Sequence, residues 1–142
     1  MGWPALFGIT NAISLIAWAL LILGPRGPRT AAIILYFGVG LLSLAYAVMF
    51  AARIENFFTG DFTGIAGIRA LFADDGGMVL GWTHFLALDL FVGQWIAKDA
   101  DHKGFSRFAQ APVLLLTLFA GPIGLLLWLV VRERRARAAV RL

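Results

Sequence analysis

Four long apolar stretches dominate the chain and constrain its fold more than any other feature. They cover residues 5–23, 31–52, 78–97 and 112–131, and only the third contains ionisable groups within its centre. A bilayer core about 30 Å thick is crossed by about 20 mostly apolar residues in a helix. We therefore predict an all-α membrane protein in which four transmembrane helices form an antiparallel bundle.

The composition agrees with this class. Apolar residues make up 61% of the chain, charged residues 14%, and the mean hydropathy is +0.85. This leaves too little polar surface for a small water-soluble globule. The 142 residues allow one unit over 1–142 and no separate catalytic domain. Cysteine is absent, which excludes disulfides, thiolate metal sites and cysteine nucleophiles.

Charged residues set the expected orientation. The first stretch has no basic segment before it and no small-residue cleavage site after it, so we expect it to be retained as a span. Five arginines directly follow the fourth span: Arg132, Arg134, Arg135, Arg137 and Arg141. The positive-inside rule then predicts both termini in the cytoplasm. The tail is either this topology signal alone or also a site for anionic lipid. Ten arginines against two lysines suggest a bacterial source and hence the cytoplasmic membrane.

The connection between the second and third spans is long and partly amphipathic. Asp61 is placed to begin a short helix, and four apolar residues follow at near-helical spacing: Phe62, Ile65, Ile68 and Phe72. The pattern predicts a short helix at the membrane interface. Two alternatives are a lid over a site between the spans and a connector that packs on the surface.

Small and polar residues mark the helix faces expected to pack together. These are Asn11, Ser14 and Trp18 in the first span, Tyr36, Gly40, Ser43 and Ala47 in the second, and Thr117, Gly121, Gly124 and Trp128 in the fourth. Pro122 is expected to kink the fourth helix, because proline leaves the Leu118 carbonyl without its usual donor.

The third span carries the candidate chemistry, because Asp89 lies near its middle and His84 nearer its edge. A charged carboxylate at that depth costs about 2.5–3.5 kcal/mol, so Asp89 is expected to face the bundle interior. It has either a role in binding or proton transfer or a structural hydrogen bond to Asn11, Ser43 or a tyrosine. The five-residue spacing puts His84 and Asp89 about 140° apart around the helix.

Cofactor and metal sites are not predicted. His84 is the only imidazole within a span, which argues against a haem with two histidine ligands. Asp99, Asp101 and His102 crowd the third connection and are interpreted as a solvated charge run rather than a metal site. No nucleotide-binding motif is present. The expected partner is membrane lipid, with no nucleic acid and no particular oligomeric state.

The order of residues in the third span resembles a known family. It reads GWTHFLALDLFVGQW over 81–95, with GIRALF upstream at 67–72, Asp99 after it and GPIGLLL over 121–127. This order resembles the abscisic-acid-deficient-four-like family over about residues 65–131. The resemblance implies a small four-span membrane protein. Plant members of the family are implicated in forming the allenic carotenoid neoxanthin from the epoxide violaxanthin.

The resemblance implies a first hypothesis, an enzyme or accessory factor that acts on a carotenoid or related isoprenoid. Asp89 would donate a proton to an epoxide oxygen and His84 would accept one from a nearby carbon. Residues expected to contact the ligand are Asn11, Trp18, Trp82, Phe85, Phe91, Trp95 and Trp128. The second hypothesis is a non-catalytic pigment-binding or assembly protein, and the third is a small proton-linked transporter.

Overall fold

The computed structural model describes residues 2–140, with side chains described for residues 2–133. It is 86% helix and has no strand in the part described, which confirms the all-α class. Four helices are long and apolar enough to cross a membrane. These long helices 1 to 4 are Trp3–Leu23, Pro28–Ala51, Asp75–His102 and Arg107–Glu133, and the last continues as helix to Val140. The tail residues Arg134, Arg135, Arg137 and Arg141, predicted to set the orientation or hold lipid, lie outside the residues whose side chains are described.

The ends of the long helices follow from local chemistry. Long helix 1 ends at Gly24 and Pro25, and Pro28 opens long helix 2 in the position where its missing N–H costs nothing. Asp74 caps long helix 3, since its carboxylate accepts a 2.7 Å hydrogen bond from the Gly77 backbone N–H.

Long helix 3 lies at the centre of the molecule, because it contacts each of the other three long helices. The Trp18 side chain of long helix 1 is 2% exposed and lies directly against Gly93, where an added Cβ would overlap the indole ring. At Gly38 of long helix 2, an added Cβ would come within 2.9 Å of both Ala17 and Leu90. Glycine thus allows three helices to approach closely at this level.

The packing faces predicted for the first and fourth helices are confirmed. Ser14, Trp18 and all four residues of the fourth-helix stripe are buried, and Asn11 is half-buried. The face predicted for the second helix is wrong, since Tyr36 is 68% exposed and Ser43 is exposed. Residues Ile34–Gly40 form a π-helical segment. The buried residues of this helix are instead Ile34, Gly38, Leu42 and Met49, because Gly38 is the position at which the helix packs closely against Ala17 and Leu90.

The predicted kink in long helix 4 is present, but it reverses the direction of the chain and does not merely bend it. After the break the helix runs back, and Arg132 donates a hydrogen bond to Asp99, at the end of the molecule where long helix 4 begins. Ala120 has non-helical backbone angles, with φ −149° and ψ 62°, two residues before Pro122. The helix therefore breaks at the level where proline removes a backbone donor.

The connector between long helices 2 and 3 contains two short helices, Ile54–Thr59 and Ile65–Leu71, where the sequence predicted one. Asp61 does not cap a helix. Its carboxylate instead accepts hydrogen bonds from the backbone N–H and the hydroxyl of Thr63, at 2.8 and 2.6 Å. Asp61 thereby satisfies its acceptors in a turn, and the second short helix begins only after Gly64.

Candidate functional site

A cavity of about 280 Å³ lies between the connector, the end of long helix 2 and the start of long helix 3. We call it the connector cavity. Its wall is mainly aromatic, and the aromatic residues that line it are Tyr46, Phe50, Phe57, Phe62, Phe72 and Phe85. The polar side chains at its wall are those of Arg53, Asn56 and His84, together with the Tyr46 hydroxyl.

Most of the aromatic wall forms one continuous cluster. Ring centres are 5.2 Å apart for Phe50 and Phe57, and again 5.2 Å apart for Phe57 and Phe62. Tyr46 extends the cluster toward long helix 3, with its ring 6.0 Å from Phe50. Rings at these separations, whether stacked, tilted or edge-on, stabilise each other. Because Phe57 and Phe62 belong to the connector, that segment forms a wall of the cavity.

His84 presents its imidazole to this cavity. The ring centre lies 5.6 Å from that of Tyr46 and 6.0 Å from that of Phe85. No described residue forms a hydrogen bond with either ring nitrogen of His84. A neutral imidazole has one donor and one acceptor, so His84 can offer both to a bound molecule.

Arg53 contributes little free charge to the cavity. Its Nη2 donates a 2.8 Å hydrogen bond to Asp74, and its guanidinium lies 5.7 Å from the centre of the Trp3 ring. The Gly77 N–H and Arg53 together hold the pKa of the Asp74 carboxyl below its usual value. Since the arginine and the carboxylate neutralise each other, the cavity is suited to an uncharged, mostly apolar molecule.

Asp89 lies elsewhere, on the side of long helix 3 that faces long helix 4. Its carboxylate is so close to Gly121 that an added Cβ there would overlap Oδ1 and lie 2.6 Å from Cγ. It is therefore next to the helix break at Ala120, and it does not line the connector cavity. His84 is within electrostatic range of Asp89. The structure thus puts the two predicted catalytic residues on different sides of one helix, as their spacing implied.

Asn11, one of the expected hydrogen-bond partners of Asp89, is bonded to other residues. The Asn11 side chain accepts a 3.2 Å hydrogen bond from Trp82 Nε1 and donates a 2.8 Å bond to the Phe7 carbonyl. Ser43 is exposed on long helix 2. Within residues 2–133, no hydrogen bond to Asp89 is formed.

The predicted ligand-contacting aromatics are distributed over three environments. Phe85 lines the connector cavity. Trp18 and Trp128 are 2% and 1% exposed and form part of the core. The remaining three are 39–50% exposed on the surface of long helix 3, outside the connector cavity, namely Trp82, Phe91 and Trp95.

Sequence reasoning missed most of the cavity wall. Tyr46, Phe50 and Phe57 were not singled out, although Phe57, Phe58 and Phe62 make the connector unusually aromatic. These three phenylalanines were the feature of the sequence that could have indicated a cavity wall. Of the alternatives for the connector, the lid over a site is the one that agrees with this arrangement.

The acidic residues near the third connection form ion pairs. Asp99 accepts hydrogen bonds from Arg132 Nε at 2.8 Å, Arg132 Nη2 at 3.2 Å and Trp128 Nε1 at 3.0 Å. Among the described residues, no group of three or more histidines and carboxylates is arranged to hold a metal ion. These acids join the ends of helices rather than forming a separate site.

The fold defines a small all-helical protein whose four long helices have the length and composition of membrane spans. The chain belongs to the ABA DEFICIENT 4-like family, whose model matches residues 5–128. The resemblance seen in the third span is thereby confirmed and extends through the first two helices. Comparisons with curated proteins and with solved structures found no match.

Proposed function

We propose that this protein is an integral membrane protein that binds the ring end of a carotenoid or related isoprenoid in the connector cavity. Long helices 1 to 3 would cross the membrane of a bacterial cell. Long helix 4 would enter it, reverse at Ala120 and return to the side where it began, because Arg132 contacts Asp99. The apolar helices and the family membership support the membrane location. The arginines after the fourth helix would put that end of the molecule in the cytoplasm. The N-terminus would then lie on the other side, because Trp3 packs against Gly76 at the opposite end of long helix 3, and the prediction that both termini share one side is wrong.

The single observation that carries the ligand proposal is the composition of the connector cavity. Six aromatic side chains and one hydrogen-bond-capable imidazole line a volume of about 280 Å³. An apolar cavity of about 150 Å³ is enough to hold benzene. A substituted cyclohexane ring with a single oxygen substituent matches this size, this apolar wall and the few polar groups at it, of which His84 has no hydrogen-bond partner among the described residues.

Binding or delivery is the form of this function that the geometry supports best. An acid–base isomerisation needs an acid at the epoxide oxygen and a base at a nearby C–H. The connector cavity contains His84 but not Asp89. A ligand in this cavity would therefore contact His84 but not Asp89.

Isomerisation is a second candidate function because Tyr46 lies beside His84. His84 would accept the carbon-bound proton and the Tyr46 hydroxyl would protonate the epoxide oxygen. The C–O bond would then break as the new double bond forms, without gain or loss of atoms. The transporter hypothesis depends on a polar path through Asp89 to both surfaces and stays a prediction.

The test is mass spectrometry of pigments and lipids retained by protein gently extracted from its native host. Phe57→Ala removes an aromatic ring from the cavity wall, whereas Phe58→Ala removes the neighbouring ring, which is 78% exposed and outside the cavity. We expect an isoprenoid in the wild type and in Phe58→Ala, and at least tenfold less in Phe57→Ala. Equal retention by both variants, or no isoprenoid in the wild type, would overturn the proposal.

Two further variants separate binding from isomerisation. If the protein only binds, His84→Gln reduces retention and Asp89→Asn leaves both retention and the carotenoid profile of the cell unchanged. If it isomerises, His84→Gln and Tyr46→Phe each make the epoxide precursor accumulate in the cell.

A further inference from the structure

A second cavity, of about 210 Å³, lies at the opposite end of long helix 3. We call it the loop cavity, because the loop between long helices 1 and 2 forms one wall. Its deeper part is apolar and includes Leu20, Ile34 and Ala97. Lys98 lies 14 residues after His84, so about 21 Å of helix separates the two cavities.

The loop cavity has an excess of positive charge. The ionisable residues at its wall are Arg26, Lys98, Asp101 and His102. Asp101 is already satisfied, since it accepts a 2.7 Å hydrogen bond from Gln110 and lies 3.6 Å from Arg26 Nε. No described carboxylate pairs with Lys98, whose side chain is exposed at the mouth. One cation therefore remains uncompensated.

Arg26 has unused hydrogen-bonding capacity in the same place. Its Nη2 donates to the Gln110 side chain at 2.8 Å and its enclosed Nε faces Asp101 at 3.6 Å. Its Nη1 is not enclosed and forms no hydrogen bond with the described residues. Burial, reinforced by the nearby charge of Arg107 and opposed by Asp101, lowers the pKa of the Arg26 guanidinium. A second anion beside this group would stabilise its charge, and guanidinium groups pair well with phosphate oxygens.

We propose that the loop cavity binds a phosphate group through Arg26 and Lys98, with the phosphate carried by an anionic membrane lipid. The two cations surround the mouth, and the apolar floor formed by Leu20, Ile34 and Ala97 accepts the first carbons of an acyl chain. A free phosphate ion would use the same cations but not the floor. The proposal is independent of the connector cavity, because the two sites share no lining residue.

Thermal unfolding of the purified protein in nonionic detergent tests this proposal. The added probes are phosphatidylglycerol, diacylglycerol with the same acyl chains, and inorganic phosphate. We expect phosphatidylglycerol to raise the melting temperature in a saturable manner and diacylglycerol to leave it unchanged. If inorganic phosphate alone gives the full shift, the proposed phosphate site is supported with the free ion as its source.

Variants locate the site. Lys98→Gln is expected to weaken phosphatidylglycerol binding about fivefold, which is the usual effect of one lysine at a membrane surface, and Lys98→Arg is expected to restore it. Lys103→Gln, at the same end of the helix but outside the cavity, is the matched control and keeps wild-type affinity. Arg26→Gln weakens binding further, with Arg29→Gln as its control.

The proposal is overturned if diacylglycerol raises the melting temperature as much as phosphatidylglycerol does. It is also overturned if Lys98→Gln and Lys103→Gln bind phosphatidylglycerol equally. Since Lys98 is exposed and has no ion-pair partner among the described residues, Lys98→Gln folds normally and its result is interpretable even if Arg26→Gln does not fold.

Discussion

The polar side chains at the two ends of long helix 3 lie in opposite environments. At its C-terminal end, Asp99 and Asp101 are each engaged by basic or amide side chains from other helices. At its N-terminal end, the His84 imidazole faces an aromatic cavity and forms no hydrogen bond within the described part of the chain. His84 is exposed, so its unpaired imidazole carries no burial cost and stays open to a molecule that enters the cavity. The acids thus stabilise the fold, and the proposed contact with a ligand belongs to the histidine.

The largest effect on stability is expected from a substitution at Gly93, where long helices 1 and 3 pack closely between the two ends. Gly93→Val places side-chain atoms where the Trp18 ring lies, and we expect a loss of about 1–3 kcal/mol in the free energy of unfolding. Denaturant titration of the protein in detergent measures it. Gly8→Val is the matched control, because nothing lies within 4 Å of an added Cβ there. Equal effects of the two substitutions would mean that Trp18 is not packed against Gly93.

The second effect tests the C-terminal end. Asp99→Asn removes the charge that Arg132 and Trp128 contact, with an expected loss of about 1–2 kcal/mol. Asp75→Asn, in the exposed first turn of the same helix, serves as the control and should change stability by less than half as much. If Asp99→Asn leaves the free energy of unfolding unchanged, the ion pair does not stabilise the fold and the two ends of the helix do not differ in this respect.

The third effect depends on pH and concerns Asp74 at the N-terminal end. Because the pKa of Asp74 is lowered in the folded protein, its charge stabilises the fold above the usual carboxyl pKa of about 3.9. That contribution is lost as the pH falls through the lower folded value. Asp74→Asn keeps a capping side chain but no charge, and we expect a loss below about 1 kcal/mol at neutral pH. Melting temperatures of both proteins should converge below about pH 4; a constant difference would contradict the assignment.

The smallest expected effect on stability is that of His84→Gln. Without a hydrogen bond to lose, the free energy of unfolding should change by less than about 0.5 kcal/mol. The same variant should lose the isoprenoid retained by the wild type, as measured by mass spectrometry. A variant that unfolds readily would show that His84 is a structural residue, like the acids at the other end.

Much of the architecture was predictable because it follows from local rules. Hydrophobic runs of span length, proline at helix starts and the Gly121–Pro122 pair led to the four long helices and to the break near Ala120. The face of the second helix was not predictable in this way. More than one face of this helix carries small residues, and only the contact of Gly38 with Ala17 and Leu90 puts Leu42 on the buried side and Ser43 on the exposed side.

The candidate site was predictable only in part. His84 stood out as an imidazole in an apolar helix, and the structure adds the aromatic wall that makes its position informative. Asp89 stood out for its cost in an apolar environment, yet its neighbour proved to be Gly121 rather than Asn11. The choice of neighbour depends on the rotation of each helix, which spacing along one helix does not specify.

The sequence by itself determined the helical class, the four membrane-length segments, the kink and the family, because these depend on hydropathy, proline geometry and residue order. Only the tertiary structure decided which polar groups are paired and which face a cavity. Pairing requires side chains from separate helices to come within about 3 Å of each other. That condition is met through glycine contacts between helices and through the reversal of long helix 4 at Ala120, which brings Arg132 to Asp99. Both depend on how separate helices pack, which hydropathy along one segment does not specify.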